Sequence, residues 1–237
     1  MNPLDHLKSN LHIIEAQISM RFNDPNLLML AFIHPSFVNE NRSFIQEDNQ
    51  RLEYLGDAVL NLIAADFLYE HLPKRAEGDL SHLRSLLVDA KACQGYIEKL
   101  GVAKWMLRSK GEQSQSHRGR ASLLADLFES LIGALYLDGG LEKARQFIFM
   151  HFADEIDQTI QNPPRNWKAE LQDYAQKKFN KPPDYIVVEE EGPDHAKVFC
   201  VKAVVGKVEA IGSGNSKKSA QAHAAQKAME MIENGQD

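Results

Sequence analysis

Apolar residues recur at helical spacing through roughly the first 160 positions. Leu7, Leu11, Ile14 and Ile18 form one stripe, and Leu27, Leu30 and Ala31 begin another. Residues 51–72 (RLEYLGDAVLNLIAADFLYEHL) read as a long helix that stops before Pro73, since proline cannot continue one. Residues 80–100 carry Leu83, Leu86, Leu87, Ile97 and Leu100 at the same period. Residues 122–137 (SLLADLFESLIGALYL) predict a further apolar helix, ended by Gly139 and Gly140. No alternating strand pattern interrupts this part. The adjacent Pro163 and Pro164, in the polar stretch 161–166, break the helical pattern and mark a linker. Beyond it the period changes. Residues 167–179 are helical, residues 185–188, 197–205 and 207–211 are β-rich runs separated by glycine turns, and residues 216–232 form an Ala-rich helix. The order α-β-β-β-α predicts a sheet with both helices on one face. Tyr185, Phe199, Val201, Val204 and the stripe Ala220, Ala224, Ala228 and Met231 are its expected core.

The prediction is a multidomain chain: an all-α domain over residues 1–160, a linker over 161–166 and an α+β domain over 167–237. The 237-residue length suits two domains. No apolar run reaches the ~18 residues a membrane helix needs. The opening MNPLDHLKSNLHIIEAQ lacks the basic and apolar segments of a secretory signal. Cys93 and Cys200 are far apart, in no metal-ligand spacing. These features predict a cytoplasmic protein in a reducing compartment, with no membrane contact. The net charge of −6 taken whole argues against a nucleic-acid binder. It is unevenly placed, however: from Arg165 onward there are 11 Lys/Arg and 11 Asp/Glu, so the acidity belongs to the first part. An excess of carboxylates there also suits a divalent-metal enzyme.

Two helices carry acid pairs where apolar residues dominate. Glu53 and Asp57 lie four apart among Leu52, Leu55, Val59, Leu60 and Ile63. Asp126 and Glu129 lie three apart among Leu123, Leu124, Leu127, Phe128, Leu131 and Ile132. Either spacing puts both acids on one helix face. Such a pair is ordinarily a solvated face, but the apolar surroundings set these two apart. Brought together, they would make a site that is costly without cations and suited to Mg²⁺, which takes oxygen ligands.

Residues 49–60 (NQRLEYLGDAVL) resemble the signature of the ribonuclease III family, NERLEFLGDSVL. Residues 22–37 (FNDPNLLMLAFIHPSF), 77–84 (EGDLSHLR) and 122–138 (SLLADLFESLIGALYLD) fit the same family in the same order. The resemblance implies that Glu53, Asp57, Asp126 and Glu129 are metal-binding acids, with Asp57 and Glu129 catalytic. Glu77 matches a further acid that supports the site less directly. Tyr54 stands where the family has a Phe that plugs into the partner subunit of a homodimer. Gln50 replaces the signature's Glu, and Ala121 stands where many members have an acid. His34-Pro35-Ser36 fits the family but equally reads as a turn and helix cap.

Residues 166–234 resemble a double-stranded RNA-binding domain. The resemblance implies RNA contacts from Gln172 and Gln176 on the first helix, from His195 in the loop after the first strand, and from Asn215, Ser216, Lys217 and Lys218 opening the last helix. Lysines at a helix start oppose the helix dipole, itself a sign that an anion comes there. Ala169 replaces a Thr common in bacterial members. Taken together, the resemblance implies a homodimeric endoribonuclease. It would use Mg²⁺, with Mn²⁺ as a substitute, to cut double-stranded RNA into 5′-phosphate and 3′-hydroxyl products, processing rRNA precursors and structured mRNAs. The rivals are a catalytically silent RNA-binding protein of the same ancestry, favoured only by Gln50, and a helical metalloenzyme acting on small phosphorylated molecules, against which the second domain argues.

Overall fold

The helical pattern of the first part becomes a packed set of helices in the computed structural model, which describes residues 2–109, 111, 117–192 and 197–235. The chain divides into two units, Met1–Pro163 and Pro164–Asp237. Four short helices open the first: α1 (Pro3–Ser9), α2 (Leu11–Gln17), α3 (Pro25–Ala31) and α4 (Pro35–Glu40). Proline begins α1, α3 and α4, where its missing N–H costs nothing, and the side chains of Asn2, Asp24 and His34 cap them. Then come α5 (Gln50–His71), α6 (Glu77–Val88), α7 (Ala90–Leu100) and the long α8 (His117–Gln161).

One predicted boundary moves and another holds. The helix expected over residues 80–100 is two helices, because Asp89 is extended and its carboxylate accepts from the backbone N–H of Ala92 at 2.8 Å, starting α7 afresh. Gly139 and Gly140 end the first limb of α8, as expected, and a second helical limb follows them. Gly140 takes φ 76, ψ −175, a conformation that favours glycine, and helix resumes beyond it. Asp138 fixes this corner: its carboxylate accepts from the backbone N–H groups of Asn23 and Asp24 at 3.0 and 2.8 Å and from Lys143 Nζ at 2.5 Å. The second limb buries Ala144, Phe147, Ile148, Phe152 and Ile156. Phe128 and Phe147 meet Phe152, with centroids 5.6 and 5.9 Å away, in edge-on packing at the centre of the core. Each such buried ring contributes roughly 1.5–3 kcal/mol.

The second unit runs α9 (Trp167–Phe179), β1 (Asp184–Glu191), β2 (Val198–Val205), β3 (Val208–Gly214) and α10 (Lys217–Glu233), with the strands antiparallel in that order. Alternation buries Val201, Ala203 and Val205 of β2 and Val208 and Ala210 of β3. Val204, expected in the core, therefore points to the other face, and Phe199 is only half-buried. Ala220, Ala224 and Ala228, all buried, press α10 onto the sheet. At Gly212 a Cβ would lie 2.1 Å from the backbone N of Ala224, so only glycine permits this approach. The β1–β2 register slips by one residue between Val187 and Glu189, a β-bulge. No described helix is long and apolar enough to cross a membrane.

Candidate metal centre and nucleic-acid interface

In the first unit, α5 crosses α8 with backbones in contact. A Cβ on Gly56 would lie 1.7 Å from the carbonyl oxygen of Glu129, and one on Gly133 would lie 2.2 Å from that of Leu52. Glu53 and Asp57 flank Gly56 in sequence, and Asp126 and Glu129 lie within two turns of Gly133. The crossing therefore brings the acid-bearing stretches face to face. Single carboxylate oxygens of Glu53, Asp126 and Glu129 lie within 4.8 Å of one another, each on a half-buried side chain.

Asp57 falls outside this trio. It is exposed, and its Oδ1 accepts from Asn61 Nδ2 at 2.9 Å, but its charge still bears on Glu53 and Glu129. Glu77 is exposed at the first turn of α6 and does not join the trio, nor does the exposed Gln50.

The electrostatics are one-sided. Burial, then the charges of Asp57, Asp126 and Glu53, push the Glu129 carboxyl up to about 7. Burial, then Asp126, Asp48 and Asp57, raises Glu53. Burial raises Asp126, partly offset by His34. None of the trio forms an ion pair with lysine or arginine among the described residues. Three crowded oxygen donors, without nitrogen or sulfur and short of positive charge, fit a hard divalent cation.

Three further residues shape the site. Asn49, at 1 % exposure, donates from Nδ2 to the Ala31 carbonyl at 3.2 Å. Its own carbonyl accepts from Glu53 N at 2.9 Å and from the buried Ser130 Oγ at 3.3 Å. Ser130 Oγ also lies 2.7 Å from the Asp126 carbonyl, so one hydroxyl, sharing its proton between the two carbonyls, ties the start of α5 to α8 directly after Glu129. His34 caps α4 through Nδ1, which accepts from Ser36 N at 3.1 Å, and it stands close enough to influence Asp126. Sequence reading did not single out Asn49 or Ser130; Ser130 stands out as a polar residue in an otherwise apolar stretch, whereas Asn49 lies among polar neighbours and carries no such signal.

In the second unit, Gln172 and Gln176 are exposed on α9, and Gln176 Nε2 donates to Asn180 Oδ1 at 2.9 Å. Asn215, Ser216, Lys217 and Lys218 are exposed at the start of α10, where Ser216 Oγ caps the helix by accepting from Ser219 N at 3.1 Å. His195 lies outside the described residues. Lys217 Nζ pairs with Glu190 of β1 at 2.9 Å, a contact that no local pattern signals.

A family model described as ribonuclease-III-like matches residues 24–156, and a double-stranded RNA binding motif matches residues 167–232. Ribonuclease 3 of Protochlamydia amoebophila is 49 % identical over 98 % of this chain and 96 % of its own length. Ribonuclease 3 of Leptospira interrogans is 42 % identical over 91 % of this chain and 88 % of its own. The solved nuclease domain of ribonuclease III from Campylobacter jejuni superposes with a TM-score of 0.53 at 34 % identity, covering 66 % of this chain and 97 % of that one.

Proposed function

The chain belongs to the ribonuclease III family of double-strand-specific endoribonucleases, and on that premise we propose that it cuts duplex RNA with Mg²⁺, or Mn²⁺ in its place, held by Glu53, Asp126 and Glu129. The observation that carries this reading is the trio of carboxylates within 4.8 Å, unpaired with lysine or arginine among the described residues. Bound there, a divalent cation would supply Lewis-acid stabilisation of the charge developing on a phosphodiester and a more acidic water. The protein's own part is positioning and proton handling. Glu53, Asp126 and Glu129 each offer one oxygen, on helices whose crossing is fixed by Gly56, Gly133 and the Asn49–Ser130 tie. Asp57, outside the trio and oriented by Asn61 Nδ2, is the carboxylate left to take the proton of an attacking water. Attack at phosphorus breaks the bond to O3′, which leaves as a hydroxyl, and the phosphate stays on the 5′ end of the downstream fragment.

In the same reading the second unit holds the duplex through Gln172, Gln176, His195, Asn215, Ser216, Lys217 and Lys218. It reads the A-form minor groove and the phosphates more than sequence. The protein works as a homodimer. Tyr54 at 83 % exposure, with Leu62, Tyr69 and Leu137 also exposed, supports a face that a second copy covers. Its substrates are rRNA precursors and structured mRNAs in the cytoplasm. A long perfect duplex incubated with Mg²⁺ tests the chemistry through its product ends. Fragments that ligate without prior phosphorylation carry 5′-phosphate and 3′-hydroxyl ends, as expected; 3′-phosphate or cyclic ends would refute the hydrolysis described.

A further inference from the structure

Glu190 holds two lysines at once. Its Oε1 lies 2.9 Å from Lys217 Nζ and its Oε2 lies 3.0 Å from Lys197 Nζ. Both ammonium groups also stand over the ring of Phe199, 5.6 and 5.7 Å from its centroid. The bulge in β1 makes this arrangement. Past it, Glu190 is paired across the ladder with Phe199, on the sheet face that carries buried Val201 and Ala203 and that α10 covers. With an unbroken register Glu190 would pair with Val198 and point to the opposite face, away from α10. One acid of the run Glu189-Glu190-Glu191 is thus turned toward the start of α10. No ion pair of the neighbouring Lys218 occurs among the described residues.

An RNA phosphate needs what this carboxylate already has: two ammonium donors on two oxygens of one anion. We propose that Glu190 is an intramolecular stand-in for an RNA phosphate, holding Lys197 and Lys217 together as a ready two-ammonium site and competing with the RNA backbone for it. The proposal rests on reading the start of α10 as RNA interface. Lys217 and Lys197 keep the Glu190 carboxyl below the usual carboxylate range, so it is charged wherever RNA binding is measured near neutral pH. The pairs are exposed enough to be displaced, with Lys217 at 57 % and Glu190 at 32 % side-chain exposure. Glu190 therefore throttles affinity without blocking the site: the phosphate meets one net positive charge instead of two.

The test is titration of the full-length protein with a duplex of about 20 base pairs, in EDTA, over a series of KCl concentrations. Glu190→Gln keeps the size of the side chain and removes its charge. It should tighten binding by about three- to ten-fold at moderate salt and make affinity fall more steeply as salt rises. Glu190→Ala, as a second variant, should show the same gain, and in a Lys197→Ala, Lys217→Ala background either change should gain nothing. Unchanged or weaker binding by both well-folded variants would overturn the competitor role, and weaker binding would make the carboxylate an organiser of the lysines. The interface reading fails separately: if Lys217→Ala with Lys218→Ala leaves affinity and salt slope unchanged, that reading falls and takes this inference with it.

Discussion

In the first unit, Glu53, Asp126 and Glu129 crowd three carboxylates within 4.8 Å with no lysine or arginine paired to them among the described residues; in the second, Lys197 and Lys217 share a carboxylate that neutralises half their charge. The difference shows in the carboxyl groups. Burial raises Glu53, Asp126 and Glu129, and neighbouring carboxylates add to the rise of Glu53 and Glu129, whereas the two lysines lower Glu190. The first cluster is under electrostatic strain that a cation relieves. The second is already satisfied, and a ligand must take the place of a partner. A site for a small, dehydration-resistant cation gains from being prepared and incompletely compensated. A site that must grip and release a long polyanion gains from an internal competitor.

The contrast can be broken from its acidic side first. Glu129→Gln should lower cleavage by about a hundred- to ten-thousand-fold while duplex binding in EDTA stays within about two-fold, since it removes a site carboxylate and touches no proposed RNA contact. Equal loss of binding would strip Glu129 of its assigned role. Gly56→Ala attacks the crossing rather than the acids. Its Cβ has no room beside the Glu129 carbonyl, so α5 and α8 must part. Destabilisation of about 1–3 kcal/mol in urea unfolding and a loss of about a hundred-fold in cleavage are expected. Wild-type cleavage would show that the crossing does not set the site.

On the basic side, Lys217→Ala with Lys218→Ala should weaken duplex binding by roughly ten-fold at moderate salt and flatten the salt dependence by about two charges. The smallest effect is thermal. The Glu129 carboxyl is raised from an ordinary 4.5 to about 7 in the folded, metal-free protein. Such a group contributes stability below its unfolded value and loses it as pH rises through the folded one. In EDTA the protein should therefore melt progressively lower from about pH 5 to about pH 8. Glu129→Gln should flatten that fall and melt a few degrees higher than the parent at the upper end. Identical pH profiles for parent and variant would show that Glu129 carries no such strain.

What the sequence disclosed follows from the range of its signals. Helical period, alternation and the Pro163-Pro164 break are local, and they announced the helical first unit and the α-β-β-β-α second one. The acid pairs were visible because spacing fixes a helix face. That their helices meet was not, because Gly56 owes its importance to a carbonyl at Glu129, far along the chain. The exclusion of Asp57 from the trio is likewise a matter of where α8 crosses. Asp89 hid a helix start inside an apolar period, whereas Gly139-Gly140 announced the end of a helix because glycine favours the conformation that Gly140 adopts. Val204 was misread because it was grouped with Phe199 and Val201, although alternation puts it on the face opposite to those two. The pairing of Glu190 with Lys217 depends on a single-residue slip in strand register, which leaves no local trace among three consecutive glutamates.

The measurement that bears most directly on the central claim separates gripping from cutting. One labelled long duplex is incubated with the protein in Mg²⁺ and in EDTA, and each sample is run on native and denaturing gels. A shifted duplex that is intact in EDTA and cut in Mg²⁺ is the predicted result, with the lysine-bearing unit holding RNA and the carboxylate trio supplying a cation-dependent site. RNA bound equally in both and cut in neither, by well-folded protein, would contradict it and leave a binding protein with an idle acid cluster.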